Sequence, residues 1–506
     1  MLPCAAARDS ITCQSGGAVP QQLRSAAVGR GWVGPDSRLV SALRVPVLVG
    51  AGCLFAAEAT RMTLRGSRLP LALLAALAIV LLALARPQVA VLGVIAVTCF
   101  VSDPNIGHAQ VGGVTTDLGQ ALGYAVIGWA LLATTTRTLP ASLRAGRPLV
   151  LLVVAAAFGA VLGLSRGSSQ FLVLGQFKEY LFYLLVLPLL MLFRTLRQRE
   201  ELQRWVLLVC TVGATWVCLS GLTGQRVPVF SPGAAIVETL GKTVDAQRIR
   251  PAMLPLLVVA TLLLATQVAS HGWTQLRAFQ AAVFTAAWVL TLTRSFWLPL
   301  ALALLLVPVL RAGRRIPLRG LRNGLVLLVI AGGGFAAASA GALGPTPAAA
   351  ADRIYSIGST KLAQDPSYTD RADEFHNAVQ TLAQHPVTGV GLGQPYGAKR
   401  PVYDPRANVV RYEDRFFTHN SLLFAYLQGG ILAVLALGWL VASAGVVALK
   451  VRGEEDEHGA NLRLAGALSV LTLAAVALVN THLIYRPNAV ALCVAVVLMA
   501  PVARDA

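Results

Sequence analysis

Charge is scarce in this chain. Lysine, arginine, aspartate and glutamate make up only 13% of its 506 residues. That is about half the share usual in soluble globular proteins, which excludes an ordinary water-soluble fold. Acidic residues are the scarcer sign, 23 against 42 basic ones, for a formal charge of +19. Cysteine is sparse as well. The seven cysteines show no CxxC or metal-ligand spacing, and Cys53, Cys99, Cys210, Cys218 and Cys493 lie in apolar runs. They read as small core residues, with no disulfide framework and no zinc expected. The alternating strands of a membrane barrel are also missing.

What the chain does have is apolar length. Hydrophobic residues reach 56%, bunched in runs of about 15–22, the span of a bilayer-crossing helix. The runs lie at Leu69–Ala85, Gln88–Val101, Gly119–Thr135, Pro148–Leu164, Glu179–Phe193, Trp205–Leu222 and Ala252–Ser270. They continue at Ala278–Thr293, Phe296–Leu310, Gly324–Leu343, Ile431–Leu449, Leu462–Asn480 and Asn488–Val502. The fold class is therefore all-α, a polytopic transmembrane helical bundle of about 11–14 spans. Four regions are expected: an N-terminal extension (1–61), an N-terminal transmembrane bundle (62–343), a large extracytoplasmic loop (344–418), and C-terminal transmembrane helices (419–506). The first 44 residues form no convincing signal peptide and read as disordered or as the product of an upstream start, with Met62 opening a more ordinary membrane-protein beginning.

The positive charge sets orientation and implies no nucleic-acid partner. The segments Thr136–Arg147, Arg194–Arg204 and Arg311–Arg322 carry three, four and five arginines, offset only by Glu200 and Glu201. Excess arginine marks cytoplasmic loops. Placing these inside puts Ser165–Lys178, Thr223–Pro251, the turn at Arg294, Gly344–Thr418 and the loop near His482–Arg486 outside. Gly344–Thr418 is balanced, with eight basic and eight acidic residues. Within it, Phe375, Ala378, Val379 and Leu382 recur at i, i+3, i+4 and i+7, an amphipathic helix over Asp370–Gln384 with Asp370 as its N-cap. His385-Pro386 ends it, and Gly389-Val-Gly-Leu-Gly393 follows as a turn-rich linker.

Several polar residues converge on the outer face. Arg294 lies between two spans with almost no loop, Arg248 and Arg250 precede another, Arg371 begins the amphipathic helix, and Arg486 adjoins the last span. Each has a plain alternative as an interfacial anchor or solvated residue. His419 stands where the polar segment meets the membrane, and histidine exchanges a proton near neutral pH. Guanidiniums at a membrane surface suit a diphosphate, because arginine pairs phosphate oxygens in a planar fork and keeps its charge. A neutral histidine nearby can act as general base on an acceptor hydroxyl. The combination points to group transfer from a lipid diphosphate without a metal.

In this order, TLTRSFWLPL, DRADEFHNAVQTLAQHPVTGVGLGQ and FFTHNSLLFAYLQGGILAVL resemble the O-antigen ligase and O-antigen polymerase superfamily. The resemblance covers Gln247 to about Pro501, with Thr-Arg-Ser-Phe-Trp bulkier after the arginine than is usual there. It implies a glycosyltransferase of the bacterial plasma membrane. The donor would be an undecaprenyl-diphosphate-linked glycan, the acceptor a sugar hydroxyl on a glycan or glycolipid, and the transfer inverting, with no cofactor and no metal. It also implies that Arg294 and Arg371 bind the diphosphate, with Arg248, Arg250 and Arg486 secondary, and that His419 activates the acceptor. Two alternatives remain. A polyprenyl-monophosphate-sugar transferase would need an acid such as Asp103 or Asp117. A lipid-linked glycan transporter would be expected to show internal repeats and midplane ionisable residues, and the sequence has neither.

Overall fold

The computed structural model describes residues 85–100, 109–111, 114–116, 118–135, 141–223, 236–239, 245–248, 252–291, 293–311, 366–404, 409–451, 456–480 and 485–502. All of them belong to one unit, Leu74–Ala506. The expected extension 1–61, the run Leu69–Ala85 apart from Ala85 itself, the run Gly324–Leu343, and Asp103, Asp117, Arg250 and His482 lie outside the described residues.

In chain order the helices are α1 (Pro87–Phe100), α2 (Leu118–Thr135), α3 (Arg147–Ser165), α4 (Gln170–Leu181), α5 (Val186–Leu192), α6 (Leu196–Thr223) and α7 (Leu254–His271). Then come α8 (Gln275–Leu290), α9 (Arg294–Arg311), α10 (Pro366–Gln384), α11 (Ser421–Lys450), α12 (Glu457–Ala477) and α13 (Arg486–Met499). The strands described form three small antiparallel hairpins, Ala109–Val111 with Val114–Thr116, Ile236–Thr239 with Asp245–Arg248, and Arg400–Asp404 with Val409–Glu413. Helices dominate because a span in lipid must satisfy its backbone groups internally. Among the described residues six helices are long and apolar enough to cross a membrane, and four shorter apolar ones accompany them. The protein is an all-α, multi-pass membrane protein.

The innermost spans are α12 and α7, whose apolar windows are 78% and 72% buried. They enclose α13, where every residue from Ala489 to Met499 is buried. At 14 residues this helix is about 21 Å long, short of the roughly 30 Å hydrocarbon thickness. Its last carbonyls therefore end inside protein. Arg199 of α6, fully buried, meets the chain just past them: it donates to the carbonyl oxygens of Ala500 and of Pro501 at 2.9 Å, and to that of Phe193, between α5 and α6, at 3.2 Å. Arg199 thus serves the packing of the bundle. Correspondingly, Arg194–Arg204 is not the loop expected from its charge, since α6 already starts at Leu196.

A second difference concerns Ser165–Lys178, expected as an outer connection. The connection is only a short turn, because α4 begins at Gln170 and runs through the 3-10 stretch Phe182–Leu185 into α5. Polar residues on this helix, Gln176 from the expected loop and Glu179 from the start of the expected span, find partners inside the protein. Gln176 Oε1 accepts from Gly393 N at 2.7 Å and from Gln428 Nε2 at 2.9 Å. Glu179 accepts from Gln120 at 3.3 Å and pairs with Arg486 at 3.5 Å.

The segment Gly389–Gly393 does more than link. Its three glycines take positive φ, and it packs flat on α3, where Leu392 N donates to Gly159 O at 2.9 Å. Arg166 clamps it from the end of α3, donating to Gly389 O at 3.1 Å and Val390 O at 2.9 Å. The approach needs the small face Gly159-x-x-x-Gly163. A Cβ on Gly163 would overlap the Leu392 carbonyl oxygen, and one on Gly159 the Gln428 carbonyl oxygen. This is the small-residue device of membrane helix contacts, here receiving a loop.

The amphipathic helix exists, but it starts at Pro366, so Asp370 is an interior residue rather than its N-cap. Its buried face is also turned from the expected one. Glu374, Ala378 and Leu382 are buried, while Phe375 and Val379 are exposed. A carboxylate occupies the inward row at i, i+4, i+8 because it has a partner there.

Candidate active site

That partner is His419. Its backbone N donates to Glu374 Oε2 at 2.9 Å, and its Nδ1 lies 2.8 Å from the same oxygen. Burial pushes the Glu374 carboxyl up, but hydrogen bonds from the His419 ring and backbone, with the charges of His419 and Arg415, hold it below the ordinary value of 4.5. An ionised carboxylate only accepts, so the ring nitrogen facing it, Nδ1, is the one that carries a proton, and Nε2 is the nitrogen left to exchange one. The Glu374 side chain is 4% exposed and that of His419 38%. The histidine is thus anchored on its inner nitrogen and open on the other side.

The chain around it is firmly held. Asn420 caps α11, its Oδ1 accepting from Leu422 N and Leu423 N at 3.0 Å each. Ser421 Oγ donates to Asn480 O at 2.5 Å, and Asn480 Nδ2 donates to Ser295 Oγ at 2.9 Å. The first turn of α11, the end of α12 and the first turn of α9 are therefore pinned together. Upstream, the buried Arg415 donates from Nε to Ala398 O at 3.2 Å, and its Nη1 stands 3.7 Å from Asp370 Oδ1. Tyr396 donates to the Phe417 carbonyl at 2.6 Å. Burial, with the nearby Glu374 carboxylate, pushes the Tyr396 hydroxyl well above the phenol range.

The expected arginines fall in different places. Arg294 opens α9 next to Ser295, which ties its backbone to Asn480 and hence to the His419 end of α11. Arg371 is exposed on α10, one turn before Glu374, on neighbouring rows of the helix. Arg486 begins α13 and is engaged by Glu179, with its guanidinium 5.9 Å from the Phe182 ring centre. Arg248 ends a hairpin strand, and only its backbone, like that of Arg294, is described.

Residues 279–438 match the family model described as O-antigen ligase. This segment is similar to the O-antigen ligase family. A comparison with curated proteins finds no match. The family is one of membrane glycan-transfer enzymes, and its matched segment contains Arg294, Arg371, Glu374 and His419. Arg248, Arg250 and Arg486 lie outside it.

Within the matched segment the residue that sequence reading misses is Glu374. Its signal is present in the spacing, since Glu374 precedes Ala378 and Leu382 by four and eight residues. An acidic residue on an apolar row asks for a buried cationic or proton-donating partner. Chemically, the arrangement offers an oriented imidazole with an accessible nitrogen and a buried carboxylate that stabilises its protonated form.

Proposed function

We propose that the protein transfers a glycan from an undecaprenyl-diphosphate-linked donor to a sugar hydroxyl, on the extracytoplasmic face of the bacterial plasma membrane. The observation that carries this reading is the His419–Glu374 pair in a segment matching the O-antigen ligase family. His419 Nε2 takes the acceptor hydroxyl proton as that oxygen attacks the anomeric carbon. The bond from this carbon to the diphosphate oxygen breaks on the opposite face, inverting the centre. Undecaprenyl diphosphate leaves with the electron pair. Glu374 holds Nδ1–H and balances the imidazolium charge, the role of the orienting acid in hydrolase triads. Arg294 and Arg371 take the charge that develops on the diphosphate, work done by fixed donors without a metal. Arg248, Arg250 and Arg486 are secondary contacts, and Arg486 would exchange Glu179 for phosphate to serve the donor.

Membrane vesicles supplied with lipid-linked glycan and acceptor test the reading. The wild type should form a new glycosidic bond. His419→Ala and Arg294→Lys should lose it while remaining inserted, since lysine keeps the charge but not the fork. Movement of the glycan across the bilayer without a new bond refutes the proposal. A deletion strain then separates the two acceptor classes: single-unit lipid-linked glycans mark a polymerase, and long unattached chains a ligase.

A further inference from the structure

We propose that Phe417 and Tyr485 form an aromatic platform that stacks the acceptor sugar beside His419; this rests on the transferase reading above. The Phe417 ring centre lies 6.3 Å from the His419 ring, with the planes at 79°. It lies 6.3 Å from Tyr485 and 5.5 Å from Phe424. Phe424 is buried, whereas Phe417 is 37% and Tyr485 49% exposed. Phe417 is thus fixed from behind by Phe424, and through its carbonyl by Tyr396, yet open in front.

A membrane-interface belt is the competing explanation for exposed aromatics. Belts favour Trp and Tyr, whose polar atoms reach headgroups. Phe417 has no polar atom, and apart from Phe416 its chain neighbours Arg415, Thr418, His419 and Asn420 are polar. Pyranose rings present apolar C–H faces, which suit the negative face of an aromatic ring. A general base must also reach the hydroxyl it deprotonates. A pyranose lying on Phe417 directs its hydroxyl rim toward the adjoining imidazole. The bound sugar is therefore the acceptor.

Saturation-transfer NMR on the full chain in lipid nanodiscs tests this with the methyl glycosides of glucose, galactose and N-acetylglucosamine as probes. At least one should receive saturation on its ring C–H protons. Phe417→Leu and Tyr485→Leu should each weaken binding about three- to tenfold, and Phe417→Trp should restore it. If Phe417→Leu fails to insert, Tyr485→Leu, at a half-exposed position, decides alone. No saturation of any probe, or wild-type binding in the Leu variants, overturns the platform. If the probes bind as expected but vesicles form no glycosidic bond, the transferase reading fails and the sugar site stands.

Discussion

Replacing Glu374 with Gln removes one charge and almost no volume. The wild-type carboxylate receives both the backbone N–H and the Nδ1–H of His419, at 2.9 and 2.8 Å. A hydrogen bond to a charged group contributes about 1.5–3 kcal/mol, so losing it as the imidazolium forms slows the step about 10- to 150-fold. A glutamine can also turn its NH2 toward Nδ1. That drives the ring proton to Nε2 and removes the lone pair that accepts the hydroxyl proton, a tautomer error worth up to about 10⁴-fold in the serine-protease triad. Glu374→Gln should therefore lower transfer at saturating acceptor by about 10²-fold or more, with a much smaller change in acceptor KM. The assay is single-turnover transfer by purified protein in nanodiscs, with melting temperature as the control for folding. A correctly folded Glu374→Gln protein that transfers at the wild-type rate refutes the orienting role.

Further outcomes concern stability. The Glu374 carboxyl lies below 4.5 in the fold, so the stability it contributes is complete above that value and is lost as pH falls through the lower folded value. Amide protection factors in α10, corrected for the intrinsic exchange rate, should fall on acidification below about pH 4.5 in the wild type, and Glu374→Gln should abolish that pH step. Gly163→Ala places a methyl on the Leu392 carbonyl and should cost about 1–3 kcal/mol, read as a lowered melting temperature. Gly128→Ala, whose Cβ would meet nothing within 4 Å, should be neutral or stabilising. Arg199→Met leaves the Phe193, Ala500 and Pro501 carbonyls without this donor and should destabilise by about 3 kcal/mol or more, measured by thermal melting.

Much of the architecture is legible in the sequence because bilayer-length apolar runs have few alternative structures. Local chemistry follows residue type at α11: Asn420 caps it, as asparagine favours helix starts, and Gly430, at φ 63° and ψ −159°, breaks it. The misses share a cause. The start of α4 hides because Gln176 looks like a loop residue until Gly393 and Gln428 supply its partners. The face of α10 turns because Glu374 is held by a histidine 45 residues away. Periodicity counts apolar side chains along one helix. It is blind to polar pairs made across the fold.

The bend at Gly430 divides α11 into two pieces with different duties. Ile431–Lys450, at 1.5 Å per residue, covers about 30 Å, the whole hydrocarbon thickness. The turns from Ser421 to Gly429 are surplus to crossing. They are fastened elsewhere, through Gln428 to α4, through Val390 N to Leu427 O, and at the joint itself through Ile431 N to Val387 O at 2.9 Å. The lower piece instead buries Ala433, Ala436, Leu440, Ala444 and Ala448 within the bundle. One helix thus does two jobs, its lower part spanning and its upper part holding the His419 end against the Gly389–Gly393 segment.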